Sequence, residues 1–167
     1  MLRACVLAAA LAGAVPALPG TAAANDIRPI EGHENWRLGM TLAEAEAAEP
    51  RAERRDCAGA TCLQYADERF PTAAVDVSAR FNGDQRLDVI VVIMKPQPGD
   101  NRCKRISAQL AAFYTAAHGE TMPVSAEAWV WTDPRASLTL LNHCDSAEPG
   151  VINILFEALA LPGAAAQ

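Results

Sequence analysis

Four of the five cysteines lie beyond residue 24, and their number and spacing define the chemistry most clearly. They are Cys57, Cys62, Cys103 and Cys144, and an even count in an exported chain predicts two disulfides. The segment between Cys57 and Cys62 contains Gly59 and is short and flexible enough to close on itself. This pairing leaves Cys103 for Cys144. A four-cysteine zinc site is the alternative, and the absence of a Cys-x-x-Cys pair argues against it and against a redox-active dithiol.

A histidine and two acids near the C-terminal end are the second candidate for chemistry. His143 and Glu157 fall on neighbouring predicted strands, and Asp145 follows closely. An imidazole beside a carboxylate is a common acid–base or metal-ligand pair. Adjacent strands also bring such residues together by chance, and no hydrolase, nucleotide-binding or metalloprotease motif accompanies them. We therefore predict no catalytic residue, metal site or cofactor, and a small periplasmic enzyme with a site near His143 and Glu157 is the alternative hypothesis.

Residues 1–24 have the features of a secretory signal peptide. Arg3 precedes an apolar run, and small residues at Ala22 and Ala24 form an A-x-A cleavage site. The apolar run is too short for a transmembrane helix, and Cys5 lacks the context of a lipoprotein cleavage box. We expect cleavage near Ala24 and a soluble periplasmic or secreted protein without stable membrane insertion.

The charge balance is acidic, with a formal net charge of −6 at pH 7. Loss of Arg3 with the signal peptide makes it more negative. Such a chain lacks the basic surface with which proteins bind nucleic acid or anionic membranes. Residues 25–160 have the length of one domain with its own core, and residues 161–167 are predicted to be a disordered tail.

A β-hairpin from about Ala73 to Met94 is the clearest structural signal. Its first arm alternates between apolar and polar residues, and its second arm is apolar on both faces towards its end. Matching the apolar faces requires a loop of three or five residues, with a bulge, instead of a two-residue Asn-Gly turn. The predicted cross-strand pairs are Phe81 with Leu87, Ala79 with Val89, and Val77 with Val91.

Two helices and four further strands complete the prediction. Thr41 and Glu44 form a capping box that begins the first helix, and Pro50 ends it. The second helix begins near Asn101 and ends at Gly119. Its predicted buried stripe is Cys103, Ile106, Leu110, Phe113 and Ala117. The further strands are Cys62–Ala66, Ala128–Thr132, Ser137–Cys144 and Val151–Ala158.

The order of these elements predicts an α+β fold. It consists of one antiparallel sheet of about six strands with two helices on one face. The order helix, strand, strand, strand occurs once in residues 36–94 and again in residues 100–159, which also fits a tandem αβββ repeat.

The run Gly39-Met40-Thr41-Leu42-Ala43-Glu44 resembles the G-x-T-x-x-[D/E] start of the first helix in a group of small envelope proteins. These are proteins of the β-lactamase-inhibitory-protein type and the small lipoprotein of the outer-membrane assembly complex. The resemblance implies helix-plus-antiparallel-sheet units in tandem, with a concave sheet face that grips another protein. It carries no binding residues over, and this chain lacks the lipoprotein cleavage box.

The sheet face opposite the helices is the predicted binding surface. Strand parity places His143, Asn153 and Glu157 on that face. Trp129 and Trp131 point in one common direction, and the sequence leaves open whether they lie in the core or form an aromatic anchor on this face. The expected function is that of a non-catalytic exported binding or interaction protein whose partner is another envelope protein. No oligomeric state follows from the sequence.

Overall fold

The computed structural model describes residues 27–99, 101–145 and 150–159. The predicted signal peptide and C-terminal tail lie outside these residues. The described elements in chain order are β1 (Gly32–His33), β2 (Trp36–Arg37), α1 (Leu42–Ala48), β3 (Glu53–Cys57), β4 (Ala60–Asp67), β5 (Ala73–Phe81), β6 (Leu87–Pro96), α2 (Arg102–His118), β7 (Met122–Ser125), β8 (Ala128–Thr132), β9 (Ala136–His143) and β10 (Val151–Ala158).

The main sheet has eight antiparallel strands in the order β3-β4-β5-β6-β10-β9-β8-β7. Each half of the chain supplies one helix followed by a four-stranded meander, and the last strands of the two halves, β6 and β10, pair at the centre. The α+β class and the antiparallel sheet are confirmed, but the repeating unit has four strands where the sequence predicted three.

The two additional strands are β3 and β7, which form the outer edges of the sheet. Four of the five β3 residues are charged and exposed. Edge strands commonly carry such charges because these discourage pairing with another chain. The sequence did not predict β3 because its residues show no apolar alternation.

The hairpin register differs from the predicted one because β6 contains a bulge. The five-residue loop 82–86 and the pairing of Phe81 with Leu87 are confirmed. Beyond that pair, Arg80 lies opposite Val89 and Ala79 opposite Ile90, so that Asp88 is the extra residue. The predicted pairs of Ala79 with Val89 and of Val77 with Val91 are wrong, because the bulge lies inside the strand and shifts every later residue to the other face.

The first helix begins as predicted. Thr41 accepts a hydrogen bond from the Glu44 backbone, and the Glu44 side chain accepts one from the Thr41 backbone at 2.7 Å. The indole Nε1 of Trp36 donates to the Ala45 carbonyl at 3.0 Å. Trp36 also packs edge-on against Tyr65, with ring centroids 5.1 Å apart. These contacts bind α1 to the helix-covered face of the first half.

The second helix confirms part of its predicted stripe, since Cys103, Ile106 and Leu110 are half-buried and pack against the core, but Phe113 does not. Ser107 and Tyr114 are its buried residues, whereas Phe113 is 64 % exposed. Tyr114 packs against Trp131 and Phe156 of the sheet, with centroid separations of 5.6 and 6.3 Å. One residue corresponds to about 100° of helix rotation, so the docking of Tyr114 turns Phe113 away from the sheet.

Both predicted disulfides are present. The Cα atoms of Cys57 and Cys62 are 5.9 Å apart, and those of Cys103 and Cys144 are 5.6 Å apart. The first bond joins β3 and β4 near their turn, while the second ties the first turn of α2 to the end of β9. A Cβ atom added at Gly150 would lie 2.6 Å from the Cys103 Sγ and 2.9 Å from the Cys144 Cα.

A Gly150→Ala substitution should therefore destabilise the protein by about 1–3 kcal/mol, because the new methyl group must displace the disulfide or its backbone. Gly83→Ala is the matched control, since nothing lies within 4 Å of its added Cβ. Thermal unfolding followed by circular dichroism measures the difference. Equal midpoints for the two variants would contradict the close packing of Gly150 on the disulfide.

Candidate functional site

The face of the sheet opposite the helices, here called the open face, is the candidate site. The bulge in β6 decides its composition. Beyond Asp88, the residues that pair with polar positions of β5 are Val89, Val91 and Ile93. These three β-branched residues therefore point away from the helices, although the partners of Val91 and Ile93 on β5 are Ser78 and Asp76.

An aliphatic band crosses the centre of the open face. Each of its members is half-buried, and neither described helix packs against it. The band consists of Val91 and Ile93 on β6, Val151 and Leu155 on β10, Leu141 on β9, and Val130 on β8. A solvated sheet face normally alternates polar residues outward, so a band of this composition is the unusual feature of this face.

The band continues to the β7 edge of the sheet. Met122 lies opposite Val130 on the open face and is 62 % exposed. Val124 in the same strand is also exposed. No charge lies on β7, in contrast to the charged strand β3 at the other edge. The two edges therefore differ in how well they resist contact with another chain.

Polar and charged residues occupy the half of the open face formed by β3, β4 and β5. They line a depression of about 500 Å³ together with Ile93 at the border of the aliphatic band. Three cations of this half are each paired with an acid on the same face, while Arg51 pairs with the buried Glu49. The pairs are Arg55 with Glu53 at 2.5 Å, Lys95 with Asp76 at 3.1 Å, and Arg80 with Asp88 at 3.2 Å.

The two tryptophans lie on the helix-covered side, which decides the question that the sequence left open and removes them from the candidate binding surface. Trp131 pairs with Leu138 and is 1 % exposed, and Trp129 pairs with Leu140 and packs against the same core. The sequence did not decide which face of the sheet the two tryptophans occupy, because β8 carries apolar residues on each side. The packing of the Tyr114 ring on Trp131 places this face of β8 beneath α2.

Three predicted residues do lie on the open face. His143 is exposed near one end of β9, while Asn153 and Glu157 are half-buried on β10. Asn153 pairs with both Ile93 and Leu141 and so stands inside the aliphatic band. Their binding role stays a prediction.

His143 and Glu157 do not form a pair. His143 lies opposite Val151, and Glu157 lies opposite Ser137. Six residues of strand separate these positions, a distance of about 20 Å at roughly 3.3 Å per residue. The residues named for the alternative of a small enzyme therefore do not meet in one site.

A partly buried ionic network lies on the helix-covered side and was not predicted from the sequence. Asp67, whose side chain is fully buried, accepts two hydrogen bonds from Arg69 at 2.8 and 2.5 Å. Arg69 also forms an ion pair with Glu34, and the Tyr65 hydroxyl donates to Glu34 at 3.4 Å. An acid at a buried position of the strand 60–67 was the available signal, because a buried carboxylate requires a partner.

Electrostatics explain how this network stays charged. Hydrogen bonds from Arg69 hold the pKa of Asp67 below its usual range, despite burial. Burial raises the pKa of Tyr65, and the neighbouring acids add to this effect. Burial lowers the pKa of His33, against the opposing effect of Glu34 at 3.9 Å. The network joins the β1–β2 turn to the loop after β4, which is a structural role.

In the described part of the chain, no group of three or more His, Cys, Asp or Glu residues is placed to hold a metal ion. None of the described helices is long and apolar enough to cross a membrane.

Comparison with protein-family models, curated protein sequences and solved structures finds no match.

The stability of the fold should fall as the pH drops below about 6.5, the usual pKa of an unfolded histidine. His33 has a lowered pKa in the fold, so the unfolded chain binds the proton more tightly, and acidification favours unfolding. Carboxylates with lowered pKa, such as Asp67, lose their contribution only below about pH 4.

Denaturant unfolding at pH 7.5 and pH 5 measures this effect. A His33→Gln variant should show a smaller change between the two pH values than the wild type, because glutamine does not titrate. An identical change in both proteins would contradict the assignment to His33.

Proposed function

We propose that this chain is a non-catalytic exported binding protein that holds another envelope protein against its open face. The observation that carries the proposal is the aliphatic band on a sheet face that neither helix covers. Burying apolar surface is the main source of affinity between proteins. The band supplies such surface at the centre of the face, and the polar residues of β3, β4 and β5 flank it on one side, as a polar rim flanks the apolar core of an interface.

The open face is large enough for a specific interface. Eight strands spaced about 4.8 Å apart give a width of roughly 38 Å. A specific complex typically buries about 800 Å² on each partner. A partner centred on the aliphatic band would contact five adjacent strands, from β6 to the β7 edge.

The charge arrangement favours a protein partner over a polyanion. The cations Arg55, Arg80 and Lys95 are each paired with an acid on the same face. A nucleic-acid or anionic-lipid surface requires unpaired cations in excess. Apolar contact rather than charge therefore supplies most of the proposed affinity.

Two further features support the exported location and the binding role. Disulfides form and persist in oxidising compartments such as the periplasm, and both cysteine pairs lie at bonding distance. The expectation that a sheet face contacts the partner follows from the resemblance to the β-lactamase-inhibitory-protein type, and it is part of this proposal.

Leu155→Lys tests the proposed surface, because a charge at the centre of the aliphatic band must be desolvated in the complex. The partner that the wild type captures from envelope extract should be recovered at least about tenfold less well. Gln109→Lys is the matched control, since it adds the same side chain at an exposed position of α2. Circular dichroism and thermal unfolding verify that both variants are folded. Equal capture by wild type and folded Leu155→Lys would reject the aliphatic band as the interface.

The affinity for that partner should change less than about twofold between 50 and 500 mM sodium chloride, because ion pairing across the interface is not its main source. Titration calorimetry measures this, and it should also give a negative heat-capacity change. A tenfold loss of affinity with salt would instead indicate a complex held by charges.

A further inference from the structure

A cleft on the helix-covered side of the molecule is separate from the open face. It lies between the N-terminal arm, residues 28–37, and the C-terminal half of α2, and its volume is about 580 Å³. Two contacts hold the arm against the helix. The Arg28 amide donates to the Ala117 carbonyl at 2.8 Å, and the His118 Nδ1 lies 2.9 Å from the Arg28 carbonyl. The size is typical of small-molecule sites.

Aromatic rings line this arm–helix cleft. Phe156 contributes from β10 and Tyr114 from α2, with ring centroids 6.3 Å apart. His33 of the arm lies 5.9 Å from Phe156. Phe113 stands at the edge of the cleft, edge-on to Tyr114 at 5.3 Å, with most of its ring exposed. The exposed Phe113 ring beside the buried rings of Tyr114 and Phe156 and the half-buried His33 provides walls for a planar apolar molecule.

The charges of the arm–helix cleft leave a cation in excess. Glu34 is engaged by Arg69, which does not line the cleft, and Glu31 lies 3.6 Å from Arg37. Arg28 also lines the cleft, and its side chain forms no ion pair within the described residues. An anionic group of a ligand would therefore find a guanidinium partner there.

Two side chains of α2, His118 and Tyr114, bring hydrogen-bonding groups to the arm–helix cleft. Because a carbonyl only accepts, the His118 Nδ1 carries the hydrogen in its contact with Arg28. Burial raises the pKa of Tyr114 to about 12, so its hydroxyl stays protonated at neutral pH. His118 thus lies beside Arg28, and the Tyr114 ring is stacked on the His118 ring with centroids 6.1 Å apart.

We propose that the arm–helix cleft binds a small planar aromatic molecule that carries one carboxylate. The ring lies among Phe113, Tyr114 and Phe156, and the carboxylate pairs with Arg28. This site is independent of the open face, so that the molecule has a second binding function besides the proposed contact with a protein.

The probe is 2-naphthoate, with neutral 2-naphthamide of similar shape as its comparison. Titration of the disulfide-bonded mature protein, followed by amide chemical shifts, should show saturable changes at residues 28–34 and 113–118. Phe113→Ala should weaken both compounds about fivefold or more. Arg28→Gln should weaken 2-naphthoate about tenfold and 2-naphthamide less than twofold, because only the carboxylate interacts with the guanidinium.

Matched controls are Phe70→Ala, an exposed phenylalanine in the loop between β4 and β5, and Arg135→Gln, an exposed arginine outside the cleft. Both should bind 2-naphthoate like the wild type. Non-saturating shifts, shifts confined to the aliphatic band, or undiminished binding by the Phe113 and Arg28 variants would overturn the proposal.

Discussion

One extra residue in the central strand β6 determines what the rest of the sheet presents on each side. Asp88 forms the bulge, and its carboxylate lies 3.2 Å from the Arg80 guanidinium across the hairpin. Beyond it, Ile90, Val92 and Met94 point into the core, and Val91 and Ile93 point away from the helices. Because β6 pairs with β10 at the centre, the register of β6 also fixes which β10 residues face the helices.

The two halves are also joined outside the sheet. The arm before α1 bonds to the first half through Gly39 and Leu87, whose backbone groups meet at 2.8 Å. It bonds to the second half through the Ile30 amide and the Asp133 carboxylate at 2.6 Å. Burial opposes the charge on Asp133, but amide hydrogen bonds keep its pKa below the usual range. The arm thereby belongs to one core with both halves, and it forms one wall of the arm–helix cleft.

Local sequence patterns predicted a structural element correctly where the residues that form it are close in sequence. The capping box at Thr41, the five-residue loop after Phe81 and the strands β8 and β10 agree with prediction, because each depends on short-range hydrogen bonding or alternation. The prediction of Phe113 as a core residue was wrong because helix rotation depends on the sheet beneath it. The ionic pair of Glu34 and Arg69 was missed because the two residues are far apart in sequence.

For the candidate site, the sequence by itself determined that His143, Asn153 and Glu157 share one face, since alternation along two regular strands is a local property. It also determined the cysteine pairing by count and loop length. Only the tertiary structure decided that Trp129 and Trp131 lie under α2, that His143 and Glu157 are distant, and that Val91 and Ile93 are uncovered. The physical reason is that a bulge and a packed tyrosine assign faces, and both act through partners that are remote in the chain.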